Sequence, residues 1–83
     1  MIKRPYFLWD YDLTDEDVRR ILRGDNEVEK RWMMGRILTN AHFNDIWKYM
    51  TAREVAKELP ELRMRLEVKQ TWEKALRVWG YEV

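Results

Sequence analysis

Asp25-Asn-Glu-Val-Glu-Lys-Arg-Trp-Met-Met-Gly-Arg-Ile-Leu-Thr-Asn-Ala41 is the stretch that decides the fold. Asp25 or Asn26 can accept hydrogen bonds from the free N–H groups that open a helix, and the helix runs to about Asn40. On a 3.6-residue period, Met33, Met34, Ile37, Leu38 and Ala41 share one broad face, while Val28, Trp32 and Gly35 fall nearly opposite. Glu29, Arg36 and Asn40 are left a narrow polar strip. A helix that is apolar on two faces is expected to be buried on two faces. This segment is therefore the central helix, and Gly35 is where a neighbour can approach it closely.

On the N-terminal side, Thr14 followed by Asp15, Glu16 and Asp17 opens a helix: the hydroxyl can cap, and the acids suit the positive end of the helix dipole. Val18, Ile21 and Leu22 give it an inner stripe, and Gly24 is expected to end it as a left-handed cap. Further out, Pro5 to Trp9 reads as an apolar arm too short for a helix, after a loose start over Met1 to Lys3. On the C-terminal side, Phe43, Ile46, Trp47 and Met50 mark a short helix, and Thr51-x-x-Glu54 reads as a capping box for the next. Ala52, Val55, Ala56 and Leu59 line that helix until Pro60 stops it. Leu62, Met64 and Leu66 alternate as an extended strap would. Val68, Trp72, Ala75, Leu76 and Trp79 then form the most regular helical stripe in the chain, ended by Gly80. The expected architecture is an all-α, compact bundle of about five short helices in one domain, 1–83, with an N-terminal aromatic arm at 1–13 and a helical core at 14–80. Trp32, Trp47, Trp72 and Trp79 are expected in its core.

Composition fits a domain of this size. There are 83 residues and no cysteine, so neither a disulfide nor a thiolate–zinc site can staple the fold. Five Trp, four Tyr and two Phe supply the apolar area instead. Charged residues make up 37%, which with the missing cysteine fits a thermophilic source or a reducing compartment. No apolar run is long enough for a membrane span or a signal peptide, so a cytoplasmic location is expected. Net charge is +1, but unevenly spread. Residues 10–29 hold eight acids against Arg19, Arg20 and Arg23, a net of −5; residues 63–77 carry Arg63, Arg65, Lys69, Lys74 and Arg77 against Glu67 and Glu73, a net of +3.

Catalytic and metal-binding constellations are missing from the sequence. Asp10-x-Asp12-x-Thr14 after an apolar run is similar to the first motif of haloacid-dehalogenase-type phosphatases, but that chemistry needs a preceding strand and a doubly wound sheet. As a calcium loop the segment fails, with Asp15 where Gly is needed and Ile21 where Glu is needed. His42 is a lone histidine at a helix start, so no triad or histidine metal site can be assembled, and the three glycines are too scattered for a phosphate loop. No enzyme activity, cofactor or metal is expected.

Two binding chemistries remain. Tyr6, Phe7, Trp9 and Tyr11 form an aromatic arm that either packs over the core or docks on a protein partner. Alternatively, residues 51–79 are similar to a helix-turn-helix, with Arg63, Arg65, Lys69, Gln70, Lys74 and Arg77 facing DNA. Against the latter, Pro60 stands where that motif favours Gly, the turn from Pro60 to Arg65 is long, and the chain lacks a basic excess.

Phe7-Leu8-Trp9-Asp10-Tyr11-Asp12 also resembles the Phe-Trp-Asp-x-Asp opening of a family of small prokaryotic helical proteins, with Leu8 as an added residue. The resemblance extends through Ile37-Leu38, Asp45-Ile46-Trp47, Tyr49 and the segment from Leu66 to Trp79. Genes of that family often lie beside nucleotidyltransferase-type toxins of abortive-infection systems. The resemblance implies an antitoxin-like or accessory subunit with a toxin-type nucleotidyltransferase as partner, and carries over no site residues. The expectation is thus a non-enzymatic protein-interaction module, assembled as a homo-oligomer, with DNA binding as the alternative.

Overall fold

The computed structural model describes residues 5–82. Among them are five α-helices and no strand: α1 (Asp15–Arg23), α2 (Glu27–Asn40), α3 (Phe43–Ile46), α4 (Ala52–Glu58) and α5 (Leu66–Val78). Two single turns of 3-10 helix, Tyr6–Leu8 and Leu59–Glu61, flank this set and interrupt it. The loose start expected over Met1–Lys3 lies outside the described residues.

Local chemistry sets the helix starts. Thr14 Oγ1 accepts from the Asp17 N–H, and Asp17 accepts in return from the Thr14 N–H at 3.0 Å, a reciprocal cap. The bond from the Thr14 backbone N–H, then one from Arg20, holds the Asp17 carboxyl below its usual range. The Asn26 side chain accepts from Glu29 N–H at 3.1 Å to start α2, and Thr51 Oγ1 accepts from Glu54 N–H at 3.2 Å to start α4. The helix ends follow two different routes. Gly80 has φ +94°, with Tyr81 N–H bonded to the Leu76 carbonyl and Gly80 N–H to that of Arg77: a Schellman cap on α5 that only glycine enters easily. Gly24, expected to be left-handed, is instead extended at φ −78°, ψ 173°, because the chain runs directly into the Asn26 cap of α2.

The core is built on α2. Met33, Met34, Ile37 and Leu38 are buried against Val18 and Ile21 of α1, Ile46, Val55, Leu59, and Trp72 and Leu76 of α5. The Trp72 indole N–H donates to the Leu38 carbonyl at 3.2 Å, satisfying one of the carbonyls left free at the end of α2. The N-terminal arm departs from expectation in its backbone alone. Tyr6–Leu8 form a 3-10 turn, with Pro5 extended before it, and Phe7 and Leu8 are buried core residues packed on α2. A 3-10 turn needs only three residues, so the proline and the short apolar run do not prevent it.

Two of the four tryptophans expected in the core are not there. Trp72 is 8% exposed and Trp47 packs against the core, but Trp32 and Trp79 are 38% and 43% exposed. Trp79 sits at the rim of an aromatic group with Phe43, Trp47 and Trp72, their ring centroids 5.5–6.2 Å apart. Trp32 belongs to the second apolar face of α2. That face is covered only in part: at Gly35, where the strap crosses, a Cβ would stand 3.6 Å from the Arg63 carbonyl oxygen and from Met64 Cγ. Leu62 anchors the strap in the core and Met64 packs against its edge, whereas Leu66 is exposed.

Candidate functional site

The uncovered part of the second α2 face is a groove of about 770 Å³, within the roughly 300–1,000 Å³ typical of ligand sites. Its α2 wall holds Val28, Arg31, Trp32 and Arg36, with Gly35 at the floor. Its other wall is the strap, Glu61, Arg63, Met64 and Arg65. Leu62, at the start of the strap, is extended at φ −82°, ψ 138°.

Arg36 organises one end of the groove. Its Nε donates to the Phe7 carbonyl at 3.0 Å and its Nη2 to Asp10 Oδ1. Its guanidinium lies over the rings of Trp9, 4.6 Å from the centroid, and Tyr11, 5.4 Å away. Tyr11 in turn meets Trp32 edge to face at 4.9 Å. One arginine on the narrow polar strip of α2 thus fixes residues 7–11 against the helix and holds Trp9, 70% exposed, against a guanidinium that lines the groove. At the other end, Arg31 donates to Glu58 at 3.2 Å and reaches Glu27 at 3.4 Å. The bond to Glu58 pushes the Arg31 guanidinium above its already high usual value, so it remains charged. Val28 stands 80% exposed one turn before Trp32.

The four residues expected to contact a partner through the arm separate. Trp9 and Tyr11 join Trp32 around Arg36. Phe7 is 2% exposed and makes the core, so it is corrected from an anchor to a packing residue. Tyr6 is turned to α3: its hydroxyl donates to Asp45 Oδ2 and accepts from His42 N–H, both at 2.6 Å, and its ring lies 4.9 Å from that of His42. Desolvation, then the bond to Asp45, push the Tyr6 phenol up. Asp10, the first carboxylate of the phosphatase-like motif, is the acceptor for Arg36. No group of three or more His, Cys, Asp or Glu positioned to hold a metal occurs among the described residues.

The six residues expected to face DNA also separate. Arg63 and Arg65 line the groove with α2, and no α5 residue does. Lys69 donates to the carbonyls of Pro60 at 3.3 Å and Leu62 at 3.1 Å, closing the turn into the strap, and Arg77 lies 3.5 Å from Glu73. Gln70 and Lys74 are exposed. The connector from Leu59 to Arg65 is longer than a three- to four-residue helix-turn-helix turn. Arg31, Trp32 and Arg36 were not singled out by sequence reasoning, although the second apolar face that carries Trp32 was visible. No family model, curated protein or solved structure matches the chain. No helix among the described residues is long and apolar enough to cross a membrane.

Proposed function

We propose that this chain is a protein-interaction module, antitoxin-like or an accessory subunit, that holds its partner on the groove of α2. The observation that carries the reading is the company Trp32 keeps: Tyr11 meets its ring and Val28 stands one turn before it, both exposed, as is Trp9 against the guanidinium of Arg36. Tryptophan, tyrosine and arginine are the residues that most often dominate binding energy at protein interfaces, because each combines a large apolar area with a directed polar group. Here they are also held in place before binding, by the contacts of Arg36 to Trp9 and Tyr11, so less conformational entropy is lost on docking. The DNA-binding alternative has less support, since Lys69 and Arg77 are engaged within the chain.

Affinity capture of the tagged chain from its native host tests the reading. The parent should retain a protein in stoichiometric amount, and Trp9→Ala and Trp32→Ala should lose it while keeping the parent's helical signal and melting temperature within a few degrees. A protein partner retained by both variants, or nucleic acid in place of protein, refutes it.

A further inference from the structure

A second aromatic group lies outside the groove. Phe43 opens α3, Trp47 follows it, and with Trp72 and Trp79 of the α5 segment they bring four rings together, centroids 5.5–6.2 Å apart. None of the four lines the groove. Trp72 is the inner ring, 8% exposed, and Phe43 and Trp79 are the outer ones, 52% and 43% exposed. The surface they form is uncharged. On the helical period, Val68, Ala75 and Leu76 share the stripe of Trp72 and Trp79. Of the charged side chains nearest these rings in sequence, Asp45 is paired with Lys48 at 3.1 Å and Glu73 with Arg77 at 3.5 Å. Lys74 stands two positions from Trp72, which places it on the other side of the helix.

We propose that this surface joins two copies of the chain, Phe43 and Trp79 of each packing on those of the other in a two-fold dimer. A two-fold contact uses the same patch on both copies, so the patch must complement itself. A charged patch fails that requirement, because like charges meet across the axis. Uncharged rings meet it, since the positive edge of one ring packs on the negative face of another. A partner selected by charge finds little to hold here, because the ion pairs of α3 and α5 are closed within the chain. The area sets the strength. A whole aromatic side chain presents roughly 200 Å², so the exposed parts of Phe43 and Trp79 supply about 200 Å² on each copy. A stable interface buries about 800 Å² per copy. The rings are therefore the centre of a small contact, and the dissociation constant is on the order of 10–100 μM. The proposal goes beyond the groove reading and uses none of its residues, so Trp9 and Trp32 stay open to another protein in the dimer.

Sedimentation velocity of the full chain, from about 5 to about 500 μM, tests it. The parent should pass from monomer to dimer over this range and grow no further, because a two-fold contact closes on itself. Raising sodium chloride from about 0.1 to about 1 M should not weaken the dimer, since salt screens charge and not apolar contact. Phe43 is half-exposed and outside the buried core, so Phe43→Ser should keep the parent's helical signal and raise the dissociation constant about tenfold or more. Trp9→Ala should leave the dimer unchanged. If Phe43→Ser loses helicity, Asn44→Arg replaces it: Asn44 is exposed next to Phe43, and the variant brings like charges to the contact from both copies. A monomer at every concentration overturns the proposal, and so does assembly beyond the dimer, dissociation by salt, a folded Phe43→Ser dimer as tight as the parent's, or loss of the dimer in Trp9→Ala. The two readings fail separately. A monomeric parent that still captures a protein from its host sinks the dimer and leaves the groove reading standing, and a dimer sensitive to Phe43→Ser that captures nothing does the reverse.

Discussion

Gly35→Ala tests the contact that shapes the groove floor. Glycine in a helix interior costs about 1 kcal/mol relative to alanine, because its backbone loses more freedom on folding. Gly35 is in the body of α2, and its φ is not in the positive region, which only Gly80 enters among the described residues. The added Cβ would meet the Arg63 carbonyl oxygen and Met64 Cγ at 3.6 Å each, ordinary contact distances with nothing nearer. No repulsive cost offsets the backbone gain, so Gly35→Ala should stabilise the protein by about 1 kcal/mol. For a domain of this size that raises Tm by about 4–8 °C. Gly35→Val should do the reverse. Its two further methyl groups cannot all avoid the strap, and displacing packed atoms costs about 1–3 kcal/mol. Thermal and urea melts followed by circular dichroism read both, with an unchanged urea slope showing that the folded state is equally compact. An alanine variant that melts below the parent would mean that the strap lies closer than 3.6 Å to the position of a Cβ at Gly35, and the groove geometry would be wrong with it.

Trp72→Phe keeps a ring in the aromatic group but removes the donor to the Leu38 carbonyl, so it should cost about 1–3 kcal/mol; Trp72→Ala adds a cavity and should bring the loss to about 3–5 kcal/mol, a large part of the roughly 4–12 kcal/mol such a domain has. A Trp72→Ala protein with the parent's Tm would show that this side chain is not buried. Lys69→Met removes the bonds to Pro60 and Leu62 that close the turn into the strap, at a cost of about 1 kcal/mol after allowance for its partial exposure; an unchanged urea midpoint would return Lys69 to the pool of free surface cations. Tyr49 donates to Asp15 at 2.5 Å, and desolvation first, then that bond, push its phenol well above the usual 10.0. Its contribution is therefore full below pH 10 and is lost as pH rises beyond it, because the unfolded chain gives up the proton first. Tyr49→Phe should flatten the alkaline decline in stability seen by urea melts from pH 9 to 11, and an identical decline in both proteins would place the cause elsewhere.

How much of this was readable from the residues depends on how local the physics is. Thr14, the Asp25-Asn26 pair and Thr51 announced three helix starts because a cap is a bond over three residues, and nothing distant can override it cheaply. Gly80 was readable for the same reason. Gly24 was not, although it too follows a helix, because the residues after it are already the cap of the next. Periodicity carried the next level only halfway. It placed Val28, Trp32 and Gly35 on one face of α2, but whether a face is covered depends on where another segment crosses it. The strap crosses at Gly35, leaving Val28 and Trp32 open. The same limit applied in reverse at the arm, where Phe7 and Leu8 look like free aromatic and aliphatic residues until Arg36 binds the Phe7 carbonyl and draws the turn onto α2. The groove draws on residues 28–40 and 61–65, and Arg36 in its wall holds residues 9–11, so no window of the sequence contains it. What the sequence did contain was a discrepancy: a helix with more apolar surface than one core face needs. That surplus can be core or binding surface, and the deciding observation is that Trp32 and Val28 remain exposed after the chain has folded.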